Sequence, residues 1–145
     1  MTPRVFEMYT DGSFNSATGV YGGGYSVKNL LEGSVSGSDP EFASARNVAG
    51  ECQAVIRGIK ALIDQEKLTA LDKIVICHDY TGLADWAEGR WKAKKPVAVK
   101  YVAAIQLYRD KGLILEFKKV PAHSGVAENE KVDQLAKQAV GLLKK

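Results

Sequence analysis

The chain has 145 residues, of which 46% are hydrophobic, and it carries 20 basic and 17 acidic side chains. This length and mixed composition predict one globular domain and exclude a disordered or fibrous protein. No uncharged apolar run is long enough to cross a membrane, and the first residues contain no apolar signal core. We therefore expect a cytoplasmic protein without membrane association, and we also expect a monomer.

The first forty residues predict a meander of three antiparallel strands. Residues 5–10 alternate with a period of two, and the first strand is expected to end at Asp11, which a Gly-Ser pair follows. An Asp-Gly pair alone is more typical of a tight hairpin turn than of a functional site, so both interpretations are open at this point. The glycine-rich residues 19–27 lack the ending of a phosphate loop and predict the second strand, and residues 28–29 predict the turn into the third.

Helical and strand-like patterns alternate in the rest of the chain. Apolar residues recur at helical spacing from residue 46 to 66, and a short β-branched run that ends at Asp79 predicts a buried strand. This order predicts an α/β fold, in which a mixed five-stranded sheet carries helices on its faces. The remaining predicted elements are a loop over 38–45, helices over 81–88 and 97–110, a fifth strand over 112–120, a loop over 121–127 and a helix over 128–143.

A basic segment with aromatic neighbours lies between Gly89 and Arg109. It contains six basic residues and no acid, whereas the whole chain has a net charge of only +3. Such a segment is either a solvated helix face or a surface for a polyanion, and the charge pattern alone leaves both interpretations open. The basic residues are Arg90, Lys92, Lys94, Lys95, Lys100 and Arg109, and the neighbouring aromatic residues are Trp86, Trp91 and Tyr101.

Four acids lie at the boundaries of apolar patterns. Asp11 and Asp79 come at the ends of predicted strands, and this is the edge at which α/β sheets bind ligands. Glu51 and Asp133 lie at the margins of the apolar stripes of two predicted helices. Each acid alone is more often a snorkelling or capping residue. If all four converge, however, protons or cations must neutralise their repulsion, and for a cation the oxygen-only ligands favour Mg²⁺.

Zinc and a cysteine nucleophile have less support than Mg²⁺. His78 and His123 are the only histidines, and no Cys/His spacing matches a zinc site. Cys52 and Cys77 lie inside apolar patterns, which predicts reduced core thiols. Two Mg²⁺ ions about 4 Å apart could activate a water molecule on one side of a phosphodiester and stabilise the leaving oxygen on the other.

Four parts of the chain resemble, in order and spacing, the type 1 ribonuclease H family. They are YTDGS at residues 9–13, Glu51 after ARNVAG, Asp79 at the end of IVICHD, and VPAHSGVAENEKVDQLAKQA at residues 120–139. The last part is the most specific, because a His is followed ten residues later by an Asp within one frame. Residues 79–96 are also similar to the bacterial-type, viroplasmin-related subgroup of this family.

The resemblance implies a ribonuclease H-like sheet, with three antiparallel strands and then two parallel strands, in a single domain over residues 1–145. It implies endonucleolytic, two-metal-ion hydrolysis of the RNA strand of RNA–DNA hybrids, with 3′-hydroxyl and 5′-phosphate products. The implied ion is Mg²⁺, with Mn²⁺ as a substitute. The implied metal ligands are Asp11, Glu51, Asp79 and Asp133, and His123 is implied as a catalytic residue on a mobile loop. The implied substrate-binding residues are Gly12, Ser13, Asn47, Trp91, Lys92, Lys94 and Lys95.

Two departures from the family pattern affect substrate binding. The basic protrusion of many bacterial members is shortened here, because Trp91 comes only twelve residues after Asp79. The Asp-Ser pair that is usual after the fourth strand is an Asp-Tyr pair here, with Tyr80 as its second residue.

Three alternatives to a ribonuclease H stay open at this point. The same fold could carry a catalytically silent hybrid-binding module, since a fold does not by itself confer activity. It could also carry another metal-dependent nuclease that acts on DNA. A Cys/His acyl-transfer enzyme would require Cys52 or Cys77 in an exposed electropositive site.

Overall fold

The computed structural model describes residues 3–120 and 127–143. Within these ranges, the elements follow the predicted order, apart from one additional short helix. The strands are β1 (Val5–Asn15), β2 (Val20–Val27), β3 (Leu31–Gly37), β4 (Lys73–His78) and β5 (Ile114–Lys119). The helices are α1 (Pro40–Ala43), α2 (Asn47–Glu66), α3 (Gly82–Ala87), α4 (Pro96–Asp110) and α5 (Ala127–Ala139).

The five strands form one mixed sheet in the order β3-β2-β1-β4-β5. β1 pairs with β2, and β2 pairs with β3, in the antiparallel direction. β1 pairs with β4, and β4 pairs with β5, in the parallel direction, which the long helical connections between these strands allow. The sheet therefore confirms the predicted α/β fold of three antiparallel strands followed by two parallel strands.

The prediction that β1 ends at Asp11 is wrong, and so is the alternative of an Asp-Gly hairpin turn. β1 continues to Asn15, because its last five residues pair with β2. The turn comes later, where the Gly19 N–H donates to the Asn15 carbonyl oxygen at 2.8 Å. The parallel pairing of β1 with β4 ends at Tyr9, however, so Asp11 still lies just beyond the end of the parallel ladder.

One predicted loop and the end of the last predicted helix also differ from the structure. The predicted loop over 38–45 contains α1, which Asp39 caps by accepting a hydrogen bond from the Glu41 N–H at 3.0 Å. The prediction that the last helix reaches Leu143 is also wrong. α5 ends four residues earlier, and a glycine with a φ of 81° follows, as is common after helix ends.

α2 and α5 pack on opposite faces of the antiparallel half of the sheet. Gly23 faces α2, where a Cβ would lie 2.1 Å from the Gly50 carbonyl oxygen. Gly24 faces α5, where a Cβ would lie 2.7 Å from the Val132 carbonyl oxygen. The glycine run of β2 therefore lets two helix backbones approach one strand from both sides, which larger side chains would prevent.

The hydrophobic core packs α2, α3 and α4 against the sheet. Among its fully buried members are Met8, Ile59, Leu62, Ile74, Ile76, Leu83 and Tyr101. Cys52 and Cys77 are buried, free thiols, as predicted. In the part of the chain that the structure describes, no helix has the length and apolar character that a membrane span needs.

Candidate functional site

Three carboxylates from three elements meet at one edge of the sheet and form what we call the carboxylate triad (Asp11, Glu51 and Asp79). Asp11 lies in β1, Glu51 lies near the start of α2, and Asp79 directly follows β4. Each residue offers one carboxylate oxygen, and these three atoms lie within 4.8 Å of one another. The parallel ladder of β1 and β4 ends two residues before Asp11 and two residues before Asp79, so it places these two acids side by side.

Gly12 lets α2 approach β1 closely. A Cβ on this residue would lie 2.0 Å from the Asn47 carbonyl oxygen and 2.7 Å from the Glu51 nitrogen. The Gly12 N–H donates to Asp11 Oδ1 at 2.8 Å, which orients that carboxylate. Ser13 continues β1, and Asn47 is exposed at the start of α2. The structure therefore brings these three predicted substrate-binding residues together beside the carboxylate triad.

Glu51 is the buried member of the triad. Its relative exposure is 2%, although the apolar pattern alone placed it at the margin of a stripe. The Thr10 hydroxyl donates to Glu51 Oε1 at 3.4 Å. Within the described residues, no ion pair includes Asp11 or Glu51. A buried carboxylate without a counter-charge is unfavourable unless it binds a proton or a cation.

Burial, together with the charge of neighbouring carboxylates, raises the pKa values of two members of the triad. Burial, and after it the Asp79 carboxylate, raises the pKa of Asp11 to about 7. Burial, and after it the Asp79 and Asp11 carboxylates, raises the pKa of Glu51 well above its usual range. The fully ionised triad is therefore unfavourable without a cation.

Asp133 lies beside Asp11 but does not belong to the triad. It is carried by α5, and its carboxylate contributes to the raised pKa of Asp11. Its Oδ2 lies 3.0 Å from the Lys137 Nζ, and its oxygens are not part of the set that lies within 4.8 Å. The structure thus places the fourth predicted acid at the site, where α5 brings it next to Asp11.

A small pocket beside Asp133 is lined by two residues that the sequence patterns did not identify. These are Asn129, which is buried, and Glu130, which is exposed, and both lie in the first turn of α5. Polar and acidic residues are common in first turns, where they satisfy free N–H groups and the helix dipole, so neither residue stood out. Their spacing was the available signal, because positions three and four residues before Asp133 share its helix face.

The donor set of the triad fits a hard divalent cation. All three members offer carboxylate oxygens, and the cluster that the described residues form includes no cysteine or histidine. Such oxygen donors favour Mg²⁺ or Mn²⁺ over softer metals. Asp11, Glu51 and Asp79 are therefore the residues that would hold the ion, and Asp133 lies next to them.

The raised pKa values predict that a divalent cation stabilises the protein most at high pH. In metal-free buffer, the free energy of unfolding should fall as the pH rises from 3.8, the ordinary pKa of Asp, to about 7. The reason is that folded Asp11 still holds its proton in this range, whereas the unfolded chain has released it. A cation that replaces the proton should restore on the order of 2 kcal/mol at about pH 8.

Thermal melts in EDTA and in MgCl₂, at about pH 5 and about pH 8, measure this effect. The Mg²⁺-dependent rise in melting temperature should be large at the higher pH and small at the lower pH, where protons compete with the ion. In Asp11→Asn, which has one carboxylate fewer, most of the rise should disappear. An equal rise at both pH values in the wild type would show that the triad carboxyls do not titrate in this range.

The basic segment is only partly available to a polyanion. Its two arginines form ion pairs with nearby acids at 2.7 and 2.6 Å. Tyr101 is buried and donates to the Leu83 carbonyl oxygen at 2.8 Å. Trp91, in contrast, is 45% exposed. The lysines that follow it, all exposed and without an ion pair to another described residue, are Lys92, Lys94 and Lys95. We call residues 91–95 the basic loop.

The histidines and cysteines do not form a second site in the described residues. His123 lies outside the described residues. His78 is buried, and its ring centroid lies 6.0 Å from that of Phe117. Burial raises the pKa of the Cys77 thiol to about 11, and it raises the pKa of Cys52 further. Neither thiol is an accessible thiolate, so neither cysteine suits the acyl-transfer alternative.

The chain is similar over nearly its whole length to proteins of one family. The profile of the RNase H family matches residues 3–141. Ribonuclease H from Erythrobacter litoralis is 30% identical, over 96% of this chain and 98% of that protein. Ribonuclease H from Hydrogenovibrio crunogenus is 31% identical, over 92% of this chain and 94% of that protein.

Solved structures with the same fold include two RNases H1. The enzyme from the halophilic archaeon Halobacterium salinarum has a TM-score of 0.73 and 20% identity, over 94% of this chain and 97% of that chain. LC11-RNase H1 in complex with an RNA/DNA hybrid has a TM-score of 0.72 and 21% identity, over 93% of this chain and 99% of that chain. At these identities, the likeness shows a shared fold.

Proposed function

Because the chain belongs to the ribonuclease H family, we propose that it is an endonuclease that hydrolyses the RNA strand of RNA–DNA hybrids. The carboxylate triad is the observation that supports this activity. Three separate elements each bring one carboxylate oxygen to it, and these three oxygens lie within 4.8 Å of one another. The predicted family, and with it the class of hydrolytic nuclease, is confirmed by this membership. The viroplasmin-related subgroup stays a prediction.

The proposed reaction is hydrolysis of a phosphodiester in the RNA strand. A water oxygen bonds to phosphorus, the bond to the 3′ oxygen breaks, and one proton moves from the water to that oxygen. The products are a 3′-hydroxyl and a 5′-phosphate. When bound, divalent cations supply positive charge at the phosphate and lower the pKa of water.

The chain's own residues would hold and orient these ions. Asp11, Glu51 and Asp79 supply the ligands, and hydrogen bonds from Gly12 and Thr10 orient two of them at 2.8 and 3.4 Å. We include a second ion in the proposal because a fourth carboxylate lies beside the triad, on α5. Mg²⁺ is the proposed ion and Mn²⁺ its substitute, since both prefer oxygen ligands.

We propose that Gly12, Ser13 and Asn47 contact the RNA strand. RNA differs from DNA by the 2′-hydroxyl, which the wide minor groove of a hybrid exposes and which can donate and accept hydrogen bonds. The Gly12 N–H is already engaged by Asp11, whereas the Asn47 side chain is exposed at the start of α2. Asn47 is therefore the residue of this group whose amide could read the 2′-hydroxyl.

Cleavage of three matched duplexes tests the proposed function. An RNA–DNA hybrid, a duplex DNA and a duplex RNA of one sequence are incubated with and without Mg²⁺, and the product ends are identified. We expect cleavage of the hybrid alone, only with Mg²⁺, with 3′-hydroxyl and 5′-phosphate ends. Hybrid binding without cleavage would indicate the silent module, and cleavage of duplex DNA would indicate the other nuclease alternative.

We assign proton transfer to His123, which the sequence places ten residues before Asp133. An imidazole that titrates near neutral pH can give a proton to the leaving 3′ oxygen or help to release the cleaved phosphate. His123→Ala should slow turnover by roughly ten- to a thousandfold, with little change in KM. Steady-state rates at saturating hybrid, from about pH 6 to about pH 9, measure this effect. Turnover equal to that of the wild type over this range would remove His123 from the mechanism.

The lysines of the basic loop should contribute to hybrid affinity through phosphate contacts. Replacing Lys92, Lys94 and Lys95 together by Ala should weaken hybrid binding and flatten its dependence on salt, while the saturated rate stays nearly unchanged. Each lost phosphate contact should reduce the slope of log K against log salt by about 0.7 to 0.9. Binding titrations in EDTA at several salt concentrations measure the slope.

A matched triple variant controls for the loss of net charge. Lys28, Lys67 and Lys111 are exposed and follow β2, α2 and α4, at the end of the sheet that is remote from Asp79. Their replacement by Ala lowers the net charge by the same amount and should leave the slope unchanged. Equal slopes in both triple variants would mean that the basic loop is only a solvated surface.

The proposal also covers the domain organisation, the oligomeric state and the location of the protein. We propose that residues 1–145 form one ribonuclease H domain, and a single sheet that includes all described strands supports this. We also propose a monomer in the cytoplasm. The two free cysteines suit a reducing compartment.

A further inference from the structure

The ring of Tyr80 lies in a cluster of aromatic side chains directly after Asp79. Its centroid is 5.9 Å from that of Trp86 and 6.4 Å from that of Trp91. The two tryptophan rings are 6.0 Å apart, and all three pairs are tilted or edge-on, which is a favourable arrangement of aromatic rings. Tyr80 therefore joins the end of β4 to the first residue of the basic loop.

Gly82 leaves the space in which these rings meet. A Cβ at this position would lie 2.2 Å from Tyr80 Cε2 and 2.9 Å from Trp91 Cζ3. The Trp91 N–H also donates to the Asp85 carbonyl oxygen at 3.1 Å, which ties the loop to α3. Beyond Trp91, the lysine side chains of the loop form no ion pair with another described residue. The contacts of Trp91 thus fix where the loop begins.

We propose that Tyr80 is a positioning residue, whose ring holds the basic loop so that its lysines meet the hybrid in register with the carboxylate triad. This inference rests on the proposed function. Tyr80 supplies ring contacts to Trp86 and to Trp91, the first residue of the loop, that a small side chain such as serine could not supply. The role requires the ring and not the hydroxyl.

Steady-state cleavage by Tyr80→Ser, Tyr80→Phe and Gly82→Ala tests the role of the ring. Tyr80→Ser should raise KM for the hybrid by about tenfold and change kcat by less than about twofold. The reason is that the lost contacts hold the hybrid equally well in the ground state and in the transition state. Tyr80→Phe keeps the ring and should have the same KM as the wild type. Gly82→Ala keeps every ring but pushes them apart, and it should raise KM as Tyr80→Ser does.

A double-mutant cycle tests whether Tyr80 acts through the lysines. In the background with Lys92, Lys94 and Lys95 replaced by Ala, Tyr80→Ser should weaken hybrid binding in EDTA little further. Equal losses in both backgrounds would overturn the proposal. An unchanged KM in both Tyr80→Ser and Gly82→Ala would overturn it too, and so would a loss of kcat alone, which would place Tyr80 in the chemistry at Asp79.

The binding titrations separate this inference from the proposed function. If the wild type binds the hybrid but does not cleave it, the proposed function fails. The affinities of the same variants in EDTA then decide the role of Tyr80 by themselves.

Discussion

Asp79→Asn is expected to fold like the wild type and to cleave the hybrid at least about a hundredfold more slowly, a loss of about 2.7 kcal/mol of transition-state stabilisation. Asn has nearly the same shape as Asp but lacks the charge that holds a cation. Asp79 is the neighbour that most raises the pKa values of both Asp11 and Glu51, so its charge acts on both other triad members. Single-turnover rates with Mg²⁺ measure the loss.

Asp64→Asn is the matched control for this substitution. Asp64 is exposed on α2 and pairs with Lys60 at 3.1 Å, one helical turn away, so its neutralisation should leave the rate unchanged. Both variants should bind the hybrid in EDTA with nearly the affinity of the wild type. Retention of more than about a tenth of the wild-type rate by Asp79→Asn would argue against a metal-ligand role.

Elements with a long internal pattern could be predicted from the sequence, whereas boundaries set by a partner strand could not. The apolar spacing of α2 predicted a helix over 46–66, and the structure places it at Asn47–Glu66. The end of β1 depends instead on pairing with the glycines of β2, a contact that no local pattern contains. α1 has only four residues, too few to show a helical period.

At the site, too, features set by a local pattern could be predicted, whereas features set by contacts between elements could not. The positions of Asp11 and Asp79 just after apolar runs were visible in the sequence, because the run that forms each strand of the parallel ladder is a local pattern. The burial of Glu51 was not visible, because it depends on how closely α2 approaches β1 at Gly12. Asn129 joins the site only through the docking of α5, which the first-turn pattern does not determine.

The close approach of α2 to the sheet is concentrated at Gly50, which precedes Glu51 in the chain. A Cβ on Gly50 would lie 1.8 Å from the Gly22 carbonyl oxygen and 2.3 Å from its carbonyl carbon. These are backbone atoms of a paired strand, so they cannot rotate away as a side chain can. The contact therefore fixes the distance between helix and sheet, and with it the position of Glu51.

Gly50→Ala should destabilise the protein by about 3 kcal/mol or more, a large part of the stability of an ordinary domain. In a free helix the same change is favourable by about 1 kcal/mol, so the sign itself tests the contact. Gly58→Ala on the same helix is the control, since its Cβ would meet the flexible end of Met8, with Sδ at 2.6 Å, and should cost much less. Urea unfolding followed by circular dichroism measures both variants. A Gly50→Ala protein that fails to fold agrees with the prediction, whereas one as stable as Gly58→Ala would show that α2 does not rest on the backbone of β2.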